Sequence, residues 1–431
     1  MRSTQRAGIV AGSAAALMLV GCSPSAGTPT PTEVEYDEPV DLTMTVWTAD
    51  EKIIGQFQAL ADEFREENPE LGELTIETIP FAEYNSQLAI RLSGGEAPDL
   101  GWIVESATPA WVDSGALADV SSLEDDEDWA YDDIIPNLLT ALQGEDGELY
   151  GYPFAGTTHP IIYNKTAFET AGLETPNELL AKGEWTWDAL REQAKALVDA
   201  GVVTYGFDIP QWGYTSYALF TPFLKGFGAE AYPDGASCGY ADDASVDAFE
   251  FVHDMIFEDG SYPAPGSASS FPTGDTGMYL GAPSTLAQLA DSTFEYDMAP
   301  QPEGDVDYSP FIGQASMVVF ADGQAPELAT RLFAHLTSEE GSAALPYVAP
   351  RSSLQTEEFI SGLYPQVPPE SAKASLLDTL DSAQQVDYPV SFPELETATK
   401  PVFDGLWQPD ADVQAVLEDV CAVADPILES Q

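Results

Sequence analysis

Leu42-Thr43-Met44-Thr45-Val46 alternates apolar and polar side chains, the period of a half-buried strand. Ile53, Phe57, Leu60, Ala61 and Phe64 then recur on one helical face, and Asn68-Pro69 stops that helix. Thr48 and Glu51 stand at capping-box spacing ahead of it. Leu74-Thr75-Ile76 reads as a second strand, and Tyr84, Leu88 and Leu92 mark a second helix that Gly94-Gly95 ends. Leu100 to Val104 is a third strand. Strand, helix, strand, helix, strand is the rhythm of an α/β layer fold with a largely parallel sheet.

The rhythm carries on through the chain. Thr186 is placed to cap a helix bearing Leu190, Ala194, Leu197 and Val198, and Ser245 to Phe257 reads as another. Gln314 to Phe320 is a buried strand, followed by a helix marked by Leu328, Leu332 and Leu336. The last helix carries Val413, Val416, Leu417, Val420 and Ile427 on one face, with Cys421 turned inward. No tandem repeat is visible. The acidic run Glu124 to Asp128 lacks the glycine of a helix-loop-helix calcium loop, since Ala130 stands there, and reads as a solvated loop.

Composition narrows the partners. Fourteen Lys plus Arg against 73 Asp plus Glu leave a net charge of −59 over 431 residues. Such a surface repels phosphate backbones and anionic membranes, which argues against nucleic acid. Its bland meaning is solubility.

The N-terminus reads as an export signal. Arg2 and Arg6 precede an apolar stretch from Ala7 to Val20, too short to span a bilayer as a helix. Leu19-Val20-Gly21-Cys22 looks like a bacterial lipobox, whose cysteine is acylated and becomes the new N-terminus. The alternative is an ordinary signal peptide with an incidental cysteine. The expected division is a signal peptide over 1–21 and an acylated Cys22 with a Ser/Thr/Pro/Gly-rich tether over 22–40. Lipid on Cys22 would anchor an exported protein at the cell surface, on the outer face of the cytoplasmic membrane, with no other membrane contact. The pattern and the acidic composition suit a Gram-positive bacterium. Cys238 and Cys421 remain, either bridged, which export permits, or as two buried thiols.

Common catalytic motifs are missing. There is no Ser-x-x-Lys, His-Glu-x-x-His or phosphate-loop signature. His159, His253 and His335 are scattered, and neither a metal site nor a cofactor is indicated. A pair of carboxylates serving a glycoside hydrolase stays open among so many acids. Eight Trp and 18 Tyr are many, however, and several stand near loop ends. A pyranose offers an apolar C–H face and a rim of hydroxyls, which aromatic planes, carboxylates and amides match. The pattern points to binding rather than turnover.

Six segments, in order, carry a resemblance. They are Phe64 to Pro69, Gly94 to Asp99, Gly147 to Phe154, Tyr163-Asn164-Lys165 with Ala171-Gly172-Leu173, Trp185 to Leu190, and Ala299 to Gly304. From Leu42 onward the chain resembles the carbohydrate-binding, maltose-binding-protein-like extracellular lipoproteins of bacterial ABC transporters. The resemblance implies a type II periplasmic-binding-protein-like fold, with two α/β lobes and a hinge-bending cleft. Lobe 1 would comprise 41–155 plus 307–348, and lobe 2 would comprise 156–306 plus 349–431. Asn164-Lys165 is expected in the crossover between lobes, and Trp187 at a packed helix start. A monomer would capture a sugar or oligosaccharide and present it to permease subunits, without catalysis or cofactor.

Carried over position by position, the implied ligand contacts are Trp47, Asp50, Trp102, Glu105, Thr157, Thr158, Trp212, Tyr214, Gly313, Gln314 and Arg351. Each has a structural alternative. Trp47, Trp212 and Tyr214 could be core, Asp50 a helix cap, and Arg351 half of an ion pair. After Met278 and Gly281, many relatives place an aromatic residue that stacks on the sugar. Here the chain reads Ala282-Pro283-Ser284, so Tyr279 is the substitute, or else a strand-buried tyrosine. Other polar solutes, such as a polyol or a glycerol phosphodiester, are the second reading, and a scaffolding protein the third.

Overall fold

The computed structural model describes residues 36–430 apart from Asp37 and positions 145–146, 210–216, 309, 381, 384–385 and 387. Cys22, Trp212 and Tyr214 therefore lie outside the described residues. Nine strands are seen among them: β1 Val40–Val46, β2 Leu71–Thr78, β3 Leu100–Val104, β4 Tyr152–Thr158, β5 Ile161–Asn164, β6 Tyr205–Asp208, β7 Thr276–Leu280, β8 Tyr296–Ala299 and β9 Ile312–Val319. They form a five-stranded sheet in the order β2-β1-β3-β9-β4 and a four-stranded sheet in the order β6-β7-β5-β8.

The opening rhythm builds the first sheet. β1 pairs in parallel with β2 and β3, as helical crossovers require. The helix between β1 and β2, Glu51–Glu67, buries Phe57, Leu60, Ala61 and Phe64. Its cap differs from the expected Thr48–Glu51 box. Asp50 accepts from the amides of Lys52 and Ile53, while Thr48 accepts from Asp50 N–H. The carboxylate sits one residue before the helix and suits its positive end.

The sheets are mixed rather than largely parallel. β9 lies between β3 and β4 and runs antiparallel to both. It enters the first sheet on its way back from the second, so its direction follows from the return, not from a local helical crossover. Asp99 secures the junction from beneath. Its carboxylate, 3% exposed, accepts from Thr43 N–H and Oγ1 on one oxygen and from the amides of Gln324 and Ala325 on the other.

In the second sheet Ile161, Ile162 and Tyr163 alternate between two cores. Ile161 and Tyr163 join the large cluster with Trp185, Trp187, Leu190, Leu417 and Val420. Ile162 joins Phe271, Met298 and Leu376 on the other face. Trp187 packs on Phe223 with ring centroids 5.0 Å apart, at the first residue of its helix. Asn164 is not in the crossover. It ends β5 and caps the helix Lys165–Ala171 by accepting from Ala167 N–H. The sheets are instead linked by His159-Pro160, and β4 stays in the first sheet as far as Thr158, past the expected limit at 155. Cys238 and Cys421 are joined by a disulfide.

Arg351 is structural, which corrects its expected place at the ligand. It is completely buried, and its guanidinium donates to the carbonyls of Trp129 at 2.9 Å, Ala130 at 3.3 Å and Thr337 at 2.6 Å. Asp133 completes the pair at 3.8 Å. These contacts hold Ala130 at φ 52°, a left-handed conformation unusual for alanine. No helix among the described residues is long and apolar enough to cross a membrane.

Candidate functional site

The ends of β1, β3, β4 and β9 converge on a cavity of about 310 Å³. Tyr84 sets its first wall. Its hydroxyl accepts from the amide of Trp102 at 3.1 Å and donates to the Thr45 carbonyl at 2.9 Å, bolting β3 to β1. Trp102, 1% exposed, is therefore rigidly placed. Around it stand Trp47 at 4.9 Å, Phe154 at 4.7 Å and Tyr347 at 6.4 Å between ring centroids. Phe81 adds an exposed rim against Trp47.

The floor is polar. Glu105 follows β3 directly and is half-buried at the cavity wall. Burial pushes its carboxyl up to about 7, against the lowering pull of its own backbone N–H and that of Gln314. Thr157 and His159, from the end of β4, and Gly313 and Gln314, from the start of β9, complete this side. Trp102 Nε1, Thr157 Oγ1 and His159 Nδ1 are buried without a hydrogen-bond partner. Buried polar atoms are almost always paired, so three such orphans on one cavity single it out as the candidate site.

The facing wall belongs to the second sheet's packing. It consists of Ala282-Pro283-Ser284 after β7, Tyr364, Tyr388, and Phe392 with Glu396 one turn apart on the helix Phe392–Phe403. Burial raises the Glu396 carboxyl, with Lys400 opposing. Among the described residues, neither Lys nor Arg lines the cavity. The small residues at 282 and 284 leave space where an aromatic platform was absent from the sequence pattern.

Of the expected contacts, Trp47, Trp102, Glu105, Thr157, Gly313 and Gln314 come together here. Asp50 lies outside the wall as the helix cap; burial raises the Tyr347 phenol, and the Asp50 charge adds to that. Thr158 faces away. Its hydroxyl is spent on the Ser375 carbonyl and Thr379 Oγ1 at 2.7 and 2.8 Å, because successive residues of β4 point to opposite sides. Tyr279 does not replace the missing platform. It packs on Phe271 at 5.8 Å and behind Gly281, where a Cβ would meet its ring at 2.3 Å.

Sequence reasoning missed Phe154, His159, Tyr347, Tyr364, Tyr388, Phe392 and Glu396. Phe154 ends the Gly147 to Phe154 segment that carries the family resemblance, and no ligand contact was expected of it. The spacing of Phe392 and Glu396, four apart with an aromatic at 388, was the available signal for the far wall. The described residues contain no cluster of three or more His, Cys, Asp or Glu that could hold a metal ion.

Comparison with known proteins bears on the fold and the family. A binding protein of Brucella abortus (strain 2308) is 23% identical over 402 residues, covering 90% of this chain and 93% of that protein. The ABC substrate-binding protein Lmo0181 of Listeria monocytogenes, solved with cycloalternan, superimposes with a TM-score of 0.78 at 20% identity, over 91% of this chain and 99% of that one. A solute-binding protein of an ABC transporter from Agrobacterium vitis S4, with bound D-mannitol, gives 0.71 at 20% identity, over 90% and 98%. These likenesses establish a two-lobed binding-protein fold. Residues 49–343 match the family model described as bacterial extracellular solute-binding protein. The chain belongs to that family, and it is a binding protein rather than an enzyme.

Proposed function

We propose that the protein captures a sugar or oligosaccharide in the cavity and delivers it to the permease of an ABC importer. The observation that carries this reading is the cavity's make-up among the described residues: aromatic walls, two carboxylates and no cationic side chain. Rings take the C–H faces of a pyranose, while Glu105, Gln314 and Thr157 take its hydroxyls. A phosphate or carboxylate ligand finds no counter-charge there. Trp47 is the assigned stacking surface with Trp102 as its support, and Trp212 and Tyr214 are assigned as further contacts from the family resemblance. Acylated Cys22 and the tether hold the monomer at the outer face of the cytoplasmic membrane, beside its permease.

Calorimetric titration of the purified protein against mono- and oligosaccharides tests this. A sugar at one hundred times its dissociation constant should stabilise the fold by about 2.7 kcal/mol. Recovery of the sugar unchanged is expected. A polyol is the second reading, favoured by the fold shared with the mannitol-bound protein. Saturation by D-mannitol, with silence from every sugar, would install it instead.

A further inference from the structure

His159 occupies an unusual place. It lines the cavity, and with Pro160 it forms the link from β4 in the first sheet to β5 in the second. Its backbone is bound to the returning link from both sides. The N–H donates to the Phe311 carbonyl at 3.3 Å, and the carbonyl accepts from Gln301 Nε2 at 2.8 Å. The ring meets Phe311 edge-on at 5.0 Å. It lies over Gly313, where a Cβ would come within 2.1 Å of Nε2. A side chain at 313 would therefore displace the imidazole.

All these contacts fix the residue and leave its ring chemistry unspent. Nδ1 is buried without a partner, and the neighbouring Thr157 Oγ1 is in the same condition. Burial pushes the imidazole down to about 4, so it is neutral near pH 7. A neutral imidazole has one donor and one acceptor, the same pair a sugar hydroxyl offers. A buried polar atom that stays unpaired is costly, and a bound ligand relieves that cost.

Resting on the carbohydrate reading, we propose that His159 is a specificity-determining contact whose ring hydrogen-bonds a ligand hydroxyl, with Gly313 reserved as the bare position that seats the ring. The hydroxyl is then read at the joint of the two lobes, by a residue tied to both links.

The test titrates maltose, cycloalternan and D-mannitol calorimetrically into wild type, His159→Phe, His159→Gln and Gly313→Ala, with the ligand-free melting temperature of each. For a probe that binds wild type, His159→Phe and Gly313→Ala are expected to weaken it roughly tenfold, and His159→Gln to keep most of the affinity. A deoxy analogue of that probe lacking the contacted hydroxyl should lose the same factor with wild type and no more with His159→Phe. Equal affinity in wild type and His159→Phe overturns the inference alone. If His159→Phe does not fold, Gly313→Ala decides, and unchanged affinity there overturns it. Silence of all three probes with wild type overturns the carbohydrate reading, and the inference with it.

Discussion

Trp47 and Trp102 meet edge to face, 4.9 Å between ring centroids, but only Trp102 is sealed, at 1% exposed. Trp47 remains half-buried on the cavity surface. The two indoles therefore divide the work: one supports the wall and the other presents it. Trp102→Ala should cost about 3–5 kcal/mol of stability, as large buried aromatics do. Trp47→Ala should lose less stability and more than tenfold in sugar affinity. Chemical denaturation and calorimetry on both variants check the division; a reversed order of effects refutes it.

Glu105 gives the site a pH signature. Its carboxyl is raised from 4.5 to about 7 in the folded protein, so the folded state binds that proton more tightly than the unfolded chain. Stability from this group is then fully present below the unfolded value and is lost as pH rises through about 7. Glu105→Gln removes the loss. Its melting temperature should exceed that of wild type at pH 8, and the difference should shrink as pH falls toward 5. A difference independent of pH would reject the assignment.

Thr157 Oγ1 is buried without a hydrogen-bond partner. Thr157→Val should leave melting nearly unchanged, because no hydrogen bond is broken. Sugar affinity should fall several-fold in titration. A large drop in melting temperature with unchanged affinity would place the hydroxyl in the fold instead.

Arg351 supplies the opposite case. Its three carbonyl contacts and Asp133 make it a buried brace outside the cavity lining. Arg351→Met should destabilise the protein by about 3–5 kcal/mol, since it leaves three buried carbonyls without their donor. The folded fraction should bind sugar as wild type does. Loss of affinity without loss of stability would return Arg351 to the site.

The disulfide closes a separation of 183 residues and joins the last helix to the segment beside Tyr240. Reduction, or Cys238→Ser with Cys421→Ser, should cost about 2–5 kcal/mol, read from melting with and without reductant. Unchanged melting would mean the link adds nothing to stability.

The α/β class was legible in the sequence because it depends on local signals, whereas the two-lobed architecture and the near-wall contacts were implied by the family resemblance. Alternation and helical spacing report which face of an element is apolar, and Trp47, Trp102 and Glu105 stand at strand ends where such elements open. Asp50 as a cap was equally legible, and it was one of the two roles open to it. The antiparallel course of β9 was not, because strand direction is set by where the chain comes from, and that contact lies far away in sequence.

Periodicity likewise says that Thr157 and Thr158 face opposite sides, but it cannot say which side holds the cavity. Arg351 and His159 show the same limit in reverse. An arginine reads as a ligand contact until three distant carbonyls, at 129, 130 and 337, are folded around it. A lone histidine reads as incidental until Gly313, more than a hundred and fifty residues later, makes room beneath its ring. Patterns along the chain set which segments become strands and helices and which of their faces are buried. Partners for individual polar groups arise only when remote segments meet, because a hydrogen bond depends on ångström-scale placement that composition and spacing do not encode.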